Sequence, residues 1–221
     1  MKNIAVLTGD IIGSRKVANT VELITSLKQV FTDVKLKTGI KFDEEIFRGD
    51  SFQIVLSDSK YALLLAVLIR VGLRAKTVVG SKTSSIPIHK LWDARIAIGI
   101  GKGSVKSKII ESNGEAFQLS GLEFDKLKKA HEKLNILTVW EEKNTYFNII
   151  IKLLDIIIDK WTKLTSEVTY EYLLNGSTQS EMAKVLKVSQ PAIHKRLSIA
   201  NIDVIEKSIK YISAEIAAKN S

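Results

Sequence analysis

Two aspartates stand where short strand patterns end. Asp10 ends the first strand pattern, inside V-L-T-G-D-I-I-G-S-R, and Asp50 lies in F-R-G-D-S-F-Q-I-V-L, between two strand-like stretches. Carboxylates brought together at neighbouring strand ends are hard oxygen ligands, suited to Mg²⁺ and the phosphates it travels with. After Asp10, the main chain of Ile12, Gly13 and Ser14 turns into a helix. Free N–H groups at such a turn can cradle a nucleotide triphosphate or another phosphorylated ligand. Arg15 and Arg48 flank the turn and the hairpin as phosphate contacts. Each aspartate alone is more simply a helix cap or a turn residue; their pairing with a glycine turn is what favours a metal–nucleotide site.

A second constellation spans Thr178 to Ile199, T-Q-S-E-M-A-K-V-L-K-V-S-Q-P-A-I-H-K-R-L-S-I. Thr178 with Glu181 three residues on reads as a capping box. Met182, Val185 and Leu186 are expected to face inward, with Ala183 small where two helices approach. Ser189 is expected to cap a second helix, with Pro191 in its first turn, where a missing N–H costs nothing. Ile193 and Leu197 would bury that helix's inner face. Gln190, His194, Lys195 and Arg196 then face outward, suited to groove edges and phosphates, with Thr178 and Ser189 at the helix starts. Between Met182 and Ala200 there are four basic residues and no acid. The pattern predicts a helix-turn-helix that binds double-stranded DNA; the plainer alternative is a helical pair that only packs or dimerises.

The elements needed to hold these groups are visible in the periodicity. Ile4–Thr8 reads as a buried strand, and apolar residues from Val21 to Val34 recur every three or four positions, as in a helix. Phe42–Arg48 and Ser51–Leu56 read as a hairpin. Tyr61–Val79 reads as an apolar helix, Asp93–Gly101 as a strand, Glu115–Lys133 as a helix and Leu134–Trp140 as a last strand. The order β-α-β-β-α-β-α-β predicts an α/β (α+β) ferredoxin-like sheet domain over residues 1–142. Residues 143–221 read as an all-α helix-turn-helix domain, led by a connecting helix over Thr145–Leu164. Tyr170–Leu174 belongs to a preceding helix, and Ile202–Ile216 to a following one that could pair two copies in a homodimer.

Composition narrows the classes. The 221 residues include no cysteine, which excludes disulfides, thiolate metal sites and a cysteine nucleophile. Three histidines and no Walker or G-x-S-x-G pattern leave little room for other familiar chemistries. Apolar runs such as YALLLAVLI are too short to span a bilayer, and the first residues show no signal-peptide pattern, so a cytoplasmic protein without membrane contact is expected. The net charge of +9 is uneven: residues 58–110 carry ten basic and two acidic groups, whereas residues 151–221 carry ten and eight. The basic middle is either a solvated surface or a phosphate contact. Asp93 and Arg95 read as an ion pair at a strand start, and Gly99, Gly101 and Gly103 as a bulged strand end.

D-I-I-G-S resembles the stretch after the first strand of class III nucleotidyl cyclases. F-R-G-D-S-F-Q-I-V-L resembles their hairpin and that of GGDEF diguanylate cyclases, and A-R-I-A-I-G-I-G resembles a later cyclase strand. The resemblance implies catalytic-type metal binding at Asp10 and Asp50, with Ile11 beside them at the metal, and a main-chain phosphate role from Ile11 to Ser14. It departs where cyclases carry a transition-state Asn and Arg, here Gln118 and Leu122, and a base-selecting Lys, here Ile46. Arg48 and Ser51 break the diguanylate signature. Over nearly its whole length, including G-E-A-F-Q-L-S-G and the Thr178–Leu197 motif, the chain resembles the SatD family of bacterial proteins. Together these readings imply a DNA-binding regulator whose cyclase-like domain takes a nucleotide or phosphorylated ligand with Mg²⁺. The alternative is an enzyme of nucleotide signalling, a cyclase or related nucleotidyltransferase, targeted by its helix-turn-helix.

Overall fold

The structure is a computed structural model, describing residues 3–14, 20–47, 49–78, 86–105 and 109–220. The chain runs β1 (Ile4–Ile11), α1 (Thr20–Thr38), β2 (Asp43–Phe47), β3 (Ser51–Leu56), α2 (Ala62–Ala75) and β4 (Ala94–Gly101). A two-residue pair, β5 (Gly103–Ser104) and β6 (Asn113–Gly114), leads into α3 (Glu115–Ala130) and β7 (Leu134–Thr138). Five helices complete it: α4 (Glu141–Asp159), α5 (Lys163–Asn175), α6 (Gln179–Val185), α7 (Gln190–Ile199) and α8 (Ile202–Lys219).

Five strands form one sheet in the order β2-β3-β1-β4-β7, antiparallel except for β4 beside β7. The parallel pair needs a crossover, and α3 supplies it. Alternation along β1 sorts the two faces. Ala5, Leu7 and Ile11 join the main core with Leu27 and Phe31 of α1 and Leu65 and Ile69 of α2. Val6 and Thr8 point the other way, toward α3, where Val6 meets Val55 and Ala116.

Gly99 shows how closely α3 lies on that second face: a Cβ there would stand 2.2 Å from the Ala116 carbonyl oxygen and 2.4 Å from the Ser120 nitrogen. The G-x-G-x-G run is therefore a seat for α3, and Gly103 pairs with Gly114 in the small β5–β6 ladder.

The boundary expected near residue 142 coincides with the start of α4, but no linker follows it. Phe147, Ile151, Leu154 and Ile158 of α4, Tyr170 and Leu174 of α5, and Ile205, Ile209, Ile212 and Ile216 of α8 share one core with the sheet. The helix read as Thr145–Leu164 ends at Asp159, because Thr162 starts a new one by accepting from the Thr165 N–H at 3.2 Å. The apolar stripe of α8 that was expected to pair two copies is already covered within the chain. At its far end Asn220 accepts from the Asn3 amide at 2.9 Å and donates to Ser59 at 2.6 Å. No helix among the described residues is long and apolar enough to cross a membrane.

Candidate functional site

The register of the sheet places Asp10 between Ser51 on one side and Arg95 on the other. The hairpin turn is stitched to the end of β1: the Ile11 N–H donates to the Asp50 carbonyl at 2.9 Å, and the Ile12 N–H to the Asp93 carbonyl, also at 2.9 Å. Gly13, at φ +70, and Gly49, at φ +82, take left-handed conformations that favour glycine at both turns. Ser14 is buried, and its hydroxyl donates to Asp50 Oδ2 at 2.7 Å. The two turns are thereby locked together. Arg15 and Arg48 lie outside the described residues.

Burial raises the Asp10 carboxyl above its ordinary range; Arg95 and Lys128 oppose the shift, and the charge of Asp50 adds to it. Asp50 precedes Ser51, which faces Asp10 across the β1–β3 pair. Arg95 Nη1 approaches Asp10 Oδ2 at 3.3 Å, a long contact. Arg95 was expected to pair with Asp93; Asp93 instead lies just before β4 and is taken by Arg70 and Arg74 of α2, while Arg95, within β4, reaches Asp10. Beyond Asp10, Gln53 donates to Thr8 Oγ1 at 3.1 Å, and Thr8 meets Ser120 of α3 at 3.0 Å. Arg95 and Lys128 went unassigned at this site in the sequence reading. Register would have disclosed Arg95, since it faces Asp10 across one strand pair; Lys128 arrives only through the placement of α3.

As a metal site, the donor set is small. No group of three or more His, Cys, Asp or Glu side chains is gathered among the described residues. Two carboxylates at adjacent strand ends suit Mg²⁺, which keeps waters and takes further oxygens from a bound phosphate. A cation there would also relieve the burial and repulsion that raise Asp10.

Asp93 belongs to a different structure. Arg70 and Arg74, one turn apart on α2, are buried and both reach Asp93. Arg70 also bonds Asp155 at 2.5 Å and Asp159 at 2.8 Å. Arg74 donates to the Trp161 carbonyl at 2.7 Å, and Lys133 closes the cluster on Asp159 at 2.8 Å. Three cations meet three carboxylates. Despite the burial penalty, Arg70, Arg74 and Lys133 hold the Asp93 carboxyl well below the usual range. The basic excess of residues 58–110 is accordingly no single surface. Arg70 and Arg74 are internal, Arg95 faces Asp10, and Lys60 and Lys76 pair with Asp58 and Asp33.

At the other end, α6 and α7 are joined by residues 186–189. The Thr178–Glu181 capping box is formed in both directions. Lys187 turns through φ 53, and the Val188 N–H returns to the Ala183 carbonyl at 3.0 Å. Met182, Ile193, Leu197 and Val168 of α5 make the local core. Gln190, His194 and Lys195 are exposed and Arg196 is half-buried. Two expectations fail. Val185 is exposed, because it falls on the outer side of α6. Ser189 occupies the N-cap position of α7, but its side chain makes no capping hydrogen bond.

No family model matches the chain, and no curated protein matches it. Among solved structures, one described as a bacterial light-regulated adenylyl cyclase is similar over 61% of this chain and 75% of its own, at 11% identity and a TM-score of 0.40.

Proposed function

We propose that this chain is a DNA-binding regulator with a ligand-binding α/β domain of ferredoxin-like, cyclase-like plan. The carrying observation is the α6–α7 unit. α6 is capped by the Thr178–Glu181 box, both helices pack on one side, and α7 turns Gln190, His194 and Lys195 outward with no acid between Met182 and Ala200. A helix so held can enter a major groove while its cations meet phosphates. The motif likeness to the SatD family supports the same two-part plan.

In this reading the β1–β3 end binds a nucleotide or other phosphorylated molecule. Asp10 and Asp50, with the main chain of Ile11, would hold Mg²⁺, which would neutralise phosphate charge. The turn from Ile12 to Ser14 lies against them, and Arg95 and Lys128 add cations beside Asp10.

Fluorescence anisotropy on duplex DNA across a salt series tests the first half. The Lys195→Ala, Arg196→Ala double variant should weaken binding and lower the salt slope by about 2. Unchanged affinity and slope would overturn it. Calorimetry with nucleoside triphosphates, with and without Mg²⁺, tests the second half against Asp10→Ala with Asp50→Ala.

The placement of Asp10 and Asp50 at one end of the β1–β3 pair favours one second reading, an enzyme of nucleotide signalling. Against it, Gln118 and Leu122 are exposed on α3 and offer no charge to a transition state. Incubation with the four nucleoside triphosphates and Mg²⁺, read by mass spectrometry, decides between the two. A product lost in the double-aspartate variant would favour the enzyme.

A further inference from the structure

Gly121 sits in the middle of α3, and neither conformation nor crowding calls for it. The helix runs unbroken through it, without a positive φ. A Cβ built there meets nothing within 4 Å. Glycine in a helix interior is less stable than alanine. What it leaves at this point is room.

That room lies over the strands of the candidate site. Phe117, one turn before Gly121, packs beside Val6 and Val55. Lys128, two turns after it, acts on Asp10. Residues 117, 121 and 128 share one flank of α3, so Gly121 falls between these two contacts, above Thr8 and Gln53. Thr8 faces Gln53 across β1 and β3, and Asp10 faces Ser51; all four side chains stand on the sheet face that meets α3. Gly121 is half-buried, whereas Leu122 beside it is 59% exposed. The opening is a recess.

Protons fix what Gln53 shows to that recess. The Ser120 hydroxyl donates to the Phe117 carbonyl at 3.0 Å. The Thr8 hydroxyl, 3.0 Å from Ser120 Oγ, must then donate to it. Thr8 Oγ1 is left to accept, and it accepts from Gln53 Nε2 at 3.1 Å. The carboxamide cannot flip without losing that bond. No bond to another described residue engages its carbonyl oxygen or its second N–H.

We infer that Gly121 and Gln53 form a base subsite: a nucleobase lies against the bare backbone of α3 at Gly121 and pairs its donor–acceptor edge with the Gln53 carboxamide. The inference rests on the nucleotide reading above and narrows its ligand from any phosphorylated molecule to a nucleoside phosphate. A glutamine carboxamide matches an adjacent donor and acceptor on a base edge, as it does with adenine. Inorganic phosphate has no such edge. Thr8 lies two residues from Asp10, about 7 Å along β1, comparable with the span of a ribose between its phosphate and its base. Phe47, half-buried opposite Ser51, lends the strip an apolar side.

Calorimetry on the full chain with Mg²⁺ compares tripolyphosphate with ATP, GTP, CTP and UTP. The parent should discriminate among the four bases by about tenfold or more. Gln53→Leu, with its circular dichroism unchanged, should erase that preference and keep the affinity for tripolyphosphate. Gly121→Ala should raise the melting temperature of the ligand-free chain, as at an ordinary helix position, yet weaken the preferred nucleotide several-fold and leave tripolyphosphate unaffected. A Gly121→Ala chain that melts lower, or binds the nucleotide as the parent does, overturns the recess. A preference that survives Gln53→Leu overturns the base contact. Equal affinity for all four nucleotides, with tripolyphosphate binding lost in the Asp10→Ala, Asp50→Ala variant, sinks the base subsite and leaves the phosphate site standing. Binding of none of the five sinks the nucleotide reading and this inference with it.

Discussion

The guanidinium of Arg70 grips both carboxylate oxygens of Asp93, with Nε 2.9 Å from Oδ1 and Nη2 3.0 Å from Oδ2, and both side chains are buried. Removing one partner of such a buried pair strands the other charge in a low-dielectric interior. Asp93→Ala would leave buried Arg74 with no carboxylate and Arg70 with only Asp155 and Asp159. The expected loss is about 3–5 kcal/mol in urea unfolding. A loss below about 1 kcal/mol, the scale of a surface pair, would show that the cluster is not the internal tie described above.

The same carboxylate sets an acid limb. Its folded-state pKa is depressed, so its stabilisation is present above the ordinary carboxylate range and is lost as pH falls through the lower, folded-state value. Stability of the parent chain should therefore drop on acidification below that range. Asp93→Asn should flatten the drop, as followed by thermal melts at stepped pH.

Asp10 has the opposite sign. Its raised pKa means that ionised Asp10 costs folding free energy, a cost absent at low pH and incurred as pH rises through the folded-state value. Asp10→Asn should raise the melting temperature at neutral pH without Mg²⁺ and remove Mg²⁺-dependent ligand binding. A lower melting temperature would mean that the Arg95 contact outweighs burial, and would weaken the case for a strained binding group.

Thr178 and Ser189 occupy equivalent positions at the starts of α6 and α7, but only Thr178 makes its capping bonds. Thr178→Ala should cost about 1 kcal/mol, whereas Ser189→Ala should cost little. Equal effects in chemical denaturation would contradict the caps as described.

Gly99→Ala should be among the most damaging small substitutions. The added methyl meets backbone atoms of α3 that cannot swing aside, so the helix must shift, at about 1–3 kcal/mol or more. Because α3 carries Lys128 toward Asp10, ligand binding should fall with stability; calorimetry on the folded variant reads this.

Much of this was legible beforehand because it is local. Alternation and turn residues located β1, the β2–β3 hairpin and β4 to within a few residues, and the Thr178 box announced α6. The hairpin was also expected beside the first strand, where it lies. Non-local partners were not legible. Arg70 and Arg74 look like surface charge on an amphipathic helix, and their acids sit up to 89 residues away. The same holds for α4: two apolar stripes on one helix read as a single hydrophobic segment until packing shows which is covered. The break at Thr162 was missed because the apolar pattern runs through it.

The bond between Asn3 and Asn220 joins positions 217 residues apart in the chain. That bond sets the start of β1 beside the end of α8. A few residues linking 220 to 3 would join these two elements without displacing any strand or helix. The order in which the elements are connected is then separable from the arrangement they reach, and a circularly permuted gene opened at another surface turn should yield the same molecule.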